Sequence, residues 1–323
     1  MAKYSHLLLG VVIHWTRIHF VCSLGCHCNE VLAPVILVPG VGGNHIKAQL
    51  DKPTVKYPYC ARYSSGYTLW LDLKQLLPIH INCWVDNMKL NYDHLSKKTF
   101  NQDGVKTWIP GFGDPKMVEY LIEESNKLRN YGQYLNKLVN ALIIIGYIRQ
   151  ENLFAAPYDF RKGPSDDLDI VFVKAETMKK VFSSMPSLAY LLPVKQLWNN
   201  EALLITPEKN YSIENLEEFF YDIGNPTGWE MYLNEKKFAE ALPPPGVEVY
   251  CFYGEGVETL KRIIFQSNDF DGTPVMVHGS GDGTVNLRSL QYCNNWIEQQ
   301  EQMVVTRSFH GIGHMEIVES KWE

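Results

Sequence analysis

The sequence predicts an α/β fold, and three observations predict it. Short apolar runs end in glycine-rich turns. Amphipathic stretches with apolar residues at helical spacing stand between those runs. The residues with catalytic chemistry sit where the runs end, which is where α/β sheets collect their sites.

Each element follows from its own residues. "VLAPVILVPG" (Val31–Gly40) is an apolar run closed by a Pro-Gly turn, a buried strand feeding the glycine-rich loop "GVGGN". "TLWLDLKQLLPIHINCWVDNMKL" is dense in Leu, Ile and Trp, and fits either a buried helix and turn or a lipid-facing flap. "DGVKTWIPGFG" reads as a strand ending in a turn. Tyr131–Ile145 places Leu135, Leu138, Val139, Leu142 and Ile145 at helical spacing, and Gly146 suits its end. "NLFAAPYDFR" supplies a short strand. Ser165, Asp166 and Asp167 favour a helix start, and Ile170, Val173, Met178 and Val181 give it a rough apolar face. The stretch that follows is irregular. "SIENLEEFFYDIG" opens on Ser with Glu two and five residues on, a capped amphipathic helix. "PPPGVEVYCFYGEG" alternates as a strand after a proline stop. "PVMVHGSGDG" and "EQMVVTRSFHG" are strands ending in small-residue loops, with "VNLRSLQYCNNWIEQQ" a helix between them.

The 323 residues and 46% hydrophobic composition suffice for one large core, or a core with a cap. A net charge of −6 without a basic stripe excludes nucleic acid as a partner. The N-terminus carries an apolar run from Leu7 to Ile13, a second patch "IHFVCSLGC", and small residues Ser23 and Gly25 before Cys26. This fits a secretory leader over residues 1–25, although His14 and Arg17 interrupt it. No other segment reaches the roughly 18 apolar residues of a spanning helix, so residues 26–323 are expected as a soluble or peripheral domain.

Cys22, Cys26 and Cys28 crowd the N-terminus with their pairing open; the other four cysteines fall into two local pairs, Cys60 with Cys83 and Cys251 with Cys293. No C-x-x-C pair or zinc-spaced histidines occur, so no metal site is expected. Asn210 in "NYS" is the one glycosylation acceptor, since Pro226 blocks Asn225. "SNDFDGTPVMVH" from Ser267 imitates a calcium loop, but its twelfth position is His278 where Glu is required.

Asp282 in "GSGDGTV" and His314 in "GIGH" each follow a strand near the C-terminus. A carboxylate that accepts the ring N–H of a histidine fixes its tautomer and stabilises the imidazolium. Acid before histidine is the α/β-hydrolase order, with a serine upstream of both.

"PVILVPGVGGN", "LDKPTV", "TLWLDLKQLLP", "CWVDNMKL", "GVKTWIPGFG", "APYDFR", "EEFFYDIG", "PPGVEVYCFYGEGV", "GDGTVNLRSL" and "GIGHMEIV", taken in order from about residue 33, resemble the lecithin–cholesterol acyltransferase family. The resemblance implies an α/β-hydrolase-like mixed sheet with a cap and a membrane-binding region. It implies a secreted or lysosomal enzyme, without cofactor, that moves a fatty acyl chain from phospholipid to water or a lipid alcohol at a membrane or lipoprotein surface. It makes Asp282 the triad acid, His314 the base, and Val41 a backbone donor to the oxyanion. It pairs Cys60 with Cys83 around a lipid-contacting flap (about 57–90) bearing Trp70 and Trp84, pairs Cys251 with Cys293, makes Asn210 glycosylated, and leaves a remnant cap at about 183–245.

The family's nucleophile is missing from this pattern. No G-x-S-x-G elbow occurs. Ser183, Ser184 and Ser187 stand near the gap, but no strand precedes them and no glycine turn surrounds them. The text leaves the family register after "APYDFRKGP" and its helix, and the junction reads near Lys180–Ser183. At least one βαβ unit, roughly 30 residues or more, is absent there, and the central nucleophile strand goes with it. A triad without its serine loses on the order of 10⁶ in kcat. The neighbours of a lost strand keep orphaned ladder groups at about 1–3 kcal/mol each. The sequence therefore predicts an inactive member of the family, with a non-catalytic lipid-surface or partner-binding protein as the rival reading.

Overall fold

The computed structural model describes residues 32–40, 42–122, 132–163, 181–268, 270 and 272–319. The expected leader, Cys22, Cys26, Cys28, Val41 and the helix from Ser165 to Lys180 lie outside them.

In chain order the strands are β1 (Val35–Leu37), β2 (Ile46–Asp51), β3 (Tyr63–Trp70), β4 (Leu90–Asp93), β5 (Lys98–Asn101), β6 (Val105–Trp108), β7 (Leu153–Ala155), β8 (Leu204–Ile205), β9 (Asn210–Tyr211), β10 (Val249–Glu255), β11 (Val257–Ile264), β12 (Val275–Gly281) and β13 (Val304–His310). The helices are α1 (Ile81–Met88), α2 (Lys116–Glu119), α3 (Asn136–Ile144), α4 (Pro186–Tyr190), α5 (Lys195–Trp198), α6 (Leu216–Asp222), α7 (Pro226–Ala241), α8 (Leu287–Leu290) and α9 (Glu316–Glu319).

Two parallel pairs carry the α/β character: β1 with β7, and β10 with β13. Among the described residues no ladder joins one pair to the other. β12, β11, β8 and β9 form a separate mixed sheet, and β3, β2 and β6 an antiparallel one. A parallel strand covered on both faces reads as continuously buried. In β1, Val35 and Leu37 are buried but Ile36 is 51% exposed, and on β10 Phe252 is 49% exposed. One face of each pair therefore meets solvent with apolar side chains.

The core is divided in the same way. Val35, Leu37, Tyr134, Val139, Leu142 and Leu153 pack β1 and β7 onto α3. Ile46, Leu69, Trp70, Trp84, Met88 and Phe160 fill a second cluster beneath the 57–90 segment. The third joins α4, α6 and α7 through Ala189, Leu216, Phe220, Met231 and Tyr232. This last cluster lies within the expected cap, and α7 pins it to the β4–β5 hairpin: Glu230 receives Lys97 Nζ at 2.8 Å.

Several expectations change in detail. The expected helix after Asn286 is one α-turn, α8, followed by a 3-10 helix over Gln291–Glu298. The cap on "SIENLEEFF" is made by Ser212 and Asn215 rather than by a glutamate: Ser212 Oγ accepts the Glu214 N–H, and the Asn215 side chain accepts the Ser212 N–H. β11 and α7 went unread in the sequence. α7 begins where Asn225 accepts the Gly228 N–H and Pro226 supplies a first position that needs no donor. The calcium-like loop runs directly into β12, so its last residues are strand.

Both local cysteine pairs are disulfides, Cys60–Cys83 and Cys251–Cys293. Their sequence separations of 23 and 42 residues correspond to about 3.4 and about 4 kcal/mol of loop-closure entropy removed from the unfolded chain.

Candidate active site

The parallel register of β10 and β13 sets Glu255 beside His310, so the loops that leave both strands rise together. Gly311 N–H donates to the Glu255 carbonyl at 2.7 Å and ties the histidine loop to the end of β10. β12 ends at Gly281 and delivers Asp282 to the same place. Gly254 permits the approach: a Cβ built there would land on the Ile312 carbonyl oxygen and within 3.4 Å of Asp282 Cβ.

His314 and Asp282 are locked by two bonds. The His314 N–H donates to the Asp282 carbonyl at 2.8 Å, and its Nδ1 lies 2.7 Å from Asp282 Oδ2. An ionised carboxylate only accepts, so Nδ1 is the donor in this contact, and in the neutral imidazole it is Nε2 that bears the lone pair. Asp282 Oδ1 takes the Val285 and Thr284 N–H groups at 2.7 and 3.0 Å. Burial pushes the Asp282 carboxyl upward, but the His314 bond and these two N–H groups outweigh it and hold the group below the ordinary carboxylate range. Its side chain is 4% exposed against 19% for His314, so the acid is sealed while the imidazole reaches solvent.

Two further side chains fix the loops. Thr259, fully buried on β11, accepts the Gly283 N–H at 2.8 Å and donates to the Val257 carbonyl at 3.0 Å. Glu316 accepts the Gly313 N–H at 2.7 Å. Neither was visible as a site residue in the sequence.

The glycine-rich loop after β1 is similarly held, although Val41 itself is outside the described residues. Gly40 N–H donates to Tyr134 Oη at 2.8 Å, Tyr158 Oη donates to the Pro39 carbonyl at 2.7 Å, and Trp70 Nε1 donates to the Gly42 carbonyl at 2.9 Å. Asn44 Nδ2 donates to the Tyr158 carbonyl at 2.9 Å. Gly42 sits at φ +69°, a backbone that glycine adopts without strain. Of these supports only Asn44, which closes "GVGGN", stands in a stretch that the sequence marks as a loop.

Trp70 and Trp84, expected to face lipid, are core residues. Trp84 is fully buried with Nε1 bonded to the Leu69 carbonyl at 2.9 Å, and Trp70 is spent on the glycine loop. Indoles carry the largest apolar surface in the segment, and the core beneath it claims them. The exposed aliphatic side chains of the 57–90 segment are instead Leu73, Leu77 and Ile79, the last 66% exposed. Asn210 is exposed on β9.

Among the described residues, no group hydrogen-bonds His314 Nε2. The serines near the junction are engaged elsewhere. Ser184 Oγ donates to the Val181 carbonyl at 2.6 Å and accepts the Leu90 N–H at 3.0 Å. Ser187 is buried against the Arg161 carbonyl at 3.3 Å, and Ser183 lies in the same turn as Ser184.

Strands ending in a loop carboxylate and a loop histidine, in that order and joined by one short hydrogen bond, are the arrangement of α/β-hydrolase-like proteins. The chain matches the lecithin:cholesterol acyltransferase family over residues 66–169 and 165–321. It belongs to that family. It is 31% identical to the rat lysosomal phospholipase A and acyltransferase, across 88% of this chain and 87% of that protein. The human protein of the same name is 30% identical, with 88% and 87% covered. The chicken phosphatidylcholine-sterol acyltransferase is 31% identical at the same coverage. The rat alignment runs over 362 positions, whereas 88% of this chain is about 284 residues, which leaves roughly 78 positions of the relative opposite a gap.

Proposed function

We propose that the chain derives from serine acyl hydrolases and O-acyltransferases that take an acyl group from phospholipid, and that it does not itself turn over phospholipid. In this reading His314 is the base, Asp282 the group that orients it, and Val41 the surviving oxyanion donor. One observation carries the proposal: Asp282 and His314 are bonded at 2.7 Å while Nε2 meets no hydroxyl among the described residues, in a sequence without a serine elbow.

The position of the loss has independent support. The two family-matched stretches overlap at residues 165–169, about ten residues before the join read from the sequence, which supports a junction between 165 and 183. Roughly 78 unmatched positions exceed one βαβ unit. The two parallel pairs with apolar open faces are what a sheet keeps when strands between them are removed. The names of the relatives and the apolar N-terminus favour a secreted or lysosomal chain, with Asn210 glycosylated and a phospholipid membrane or lipoprotein as its surface.

The test is turnover of phosphatidylcholine in vesicles, with and without a lipid alcohol. The expected result is no acyl release or transfer above the His314→Ala variant; release that depends on His314 overturns the proposal. A second reading, a non-catalytic lipid-surface protein, draws on the exposed Leu73, Leu77 and Ile79. Vesicle flotation that is lost when these three are changed to Ser, without turnover, distinguishes it.

A further inference from the structure

We infer that the Asp282–His314 pair is itself an esterolytic site for acyl esters with weakly basic leaving groups, aryl esters foremost, and that His314 Nε2 is the nucleophile. The inference rests on the reading that no serine occupies the site. A triad spends the Nε2 lone pair on the serine hydroxyl. Here that lone pair is uncommitted among the described residues, yet everything that orients it is present: Nδ1 on Asp282 at 2.7 Å, and the main-chain bond from His314 N–H to the Asp282 carbonyl at 2.8 Å. Approach is open as well. His314 keeps 19% of its side-chain surface, and a side chain placed at Gly311, on the same loop, would meet nothing within 4 Å.

The chemistry balances without a further reactant. Nε2 attacks the ester carbonyl carbon and a C–N bond forms. The tetrahedral adduct expels the aryloxide as the C–O bond breaks, leaving an acyl-imidazolium whose proton stays on Nδ1, hydrogen-bonded to the Asp282 carboxylate. Water then adds to the acyl carbon, the C–N bond breaks, and a carboxylic acid and neutral His314 are released; the protons from water end on the acid and the phenol. Histidine is an established covalent nucleophile in enzymes. Leaving-group basicity sets the substrate class. The adduct expels whichever group is the weaker base. Imidazole is a weaker base than an alkoxide, so the glycerol esters of phospholipid fall back to reactants, whereas a nitrophenolate departs. The site therefore acts on aryl esters and is silent on the lipids of its relatives.

The experiment uses the full secreted chain with disulfides intact and p-nitrophenyl butyrate. Turnover above buffer is expected, lowered at least about tenfold by His314→Ala and lowered also by Asp282→Asn, in which Nδ1 is no longer held protonated. His278→Ala, an exposed histidine outside the site, leaves the rate unchanged. With the hindered p-nitrophenyl pivalate, acid quench and peptide mass analysis place the acyl group on the peptide containing His314. This readout stands on the unmutated protein, whatever the variants do to folding. A rate indifferent to His314→Ala in folded protein, or acyl mass on another residue, overturns the inference alone. Turnover abolished by a fluorophosphonate shows a serine nucleophile and overturns both this inference and the proposed function.

Discussion

Replacing Gly254 by alanine tests how the site is assembled. The new methyl group would overlap the Ile312 carbonyl oxygen, so the loop that carries His314 must move away from β10. Forcing one extra methyl into a packed site costs about 1–3 kcal/mol. Separating His314 from an ionised, buried Asp282 gives up a charge-assisted hydrogen bond of about 1.5–3 kcal/mol. Together the loss is about 2.5–6 kcal/mol, a large part of a total of about 5–15. Urea unfolding measures the first quantity. The ¹H–¹⁵N correlation of the imidazole measures the second, because Nδ1–H loses its acceptor. Gly279→Ala is the control, since its methyl meets only Lys261 side-chain carbons, the nearest at 3.4 Å; it is expected within about 0.5 kcal/mol of the parent. A Gly254→Ala protein as stable as that control, with the Nδ1 proton undisturbed, refutes the packing argument.

Three further outcomes are expected. The folded-state pKa of Asp282 is lowered, so its contribution to stability is complete above the ordinary carboxyl value of 3.8 and is lost as pH falls from there through the folded value; urea midpoints from pH 6 to pH 2 show this component, and Asp282→Asn removes it. Thr259→Val keeps the shape of the side chain but leaves the Gly283 N–H without its acceptor, at about 1–3 kcal/mol by urea unfolding. Replacing Cys251 and Cys293 together by alanine lowers stability by about 4 kcal/mol if loop closure dominates, and a change under 1 kcal/mol contradicts that account.

The sequence held the ends of the fold better than its middle. β1, β10, β12 and β13 were readable because an apolar run and a glycine turn mark each of them, and the same turns marked Asp282 and His314. β11 was hidden, since "VETLKRII" mixes charges and apolar residues as a partly exposed strand paired on both sides does. α7 was hidden because its amphipathicity is weak: its buried positions include Glu235 and Gly228 beside Met231 and Tyr232. The roles of Tyr134, Tyr158 and Thr259 had no local signal. Each reaches a loop distant in the chain, and only tertiary contact reveals it. The tryptophans misled for a related reason. A Trp-rich, Leu-rich segment pattern does not say which side chains face inward, and the two indoles faced the core.

Asp282 and His314 stand bonded at 2.7 Å with no serine hydroxyl at Nε2 among the described residues. A fluorophosphonate probe applied to the disulfide-intact chain decides whether a serine is there. No covalent labelling above that of His314→Ala is expected. Stoichiometric labelling of one serine in the parent chain, absent from the variant, contradicts it.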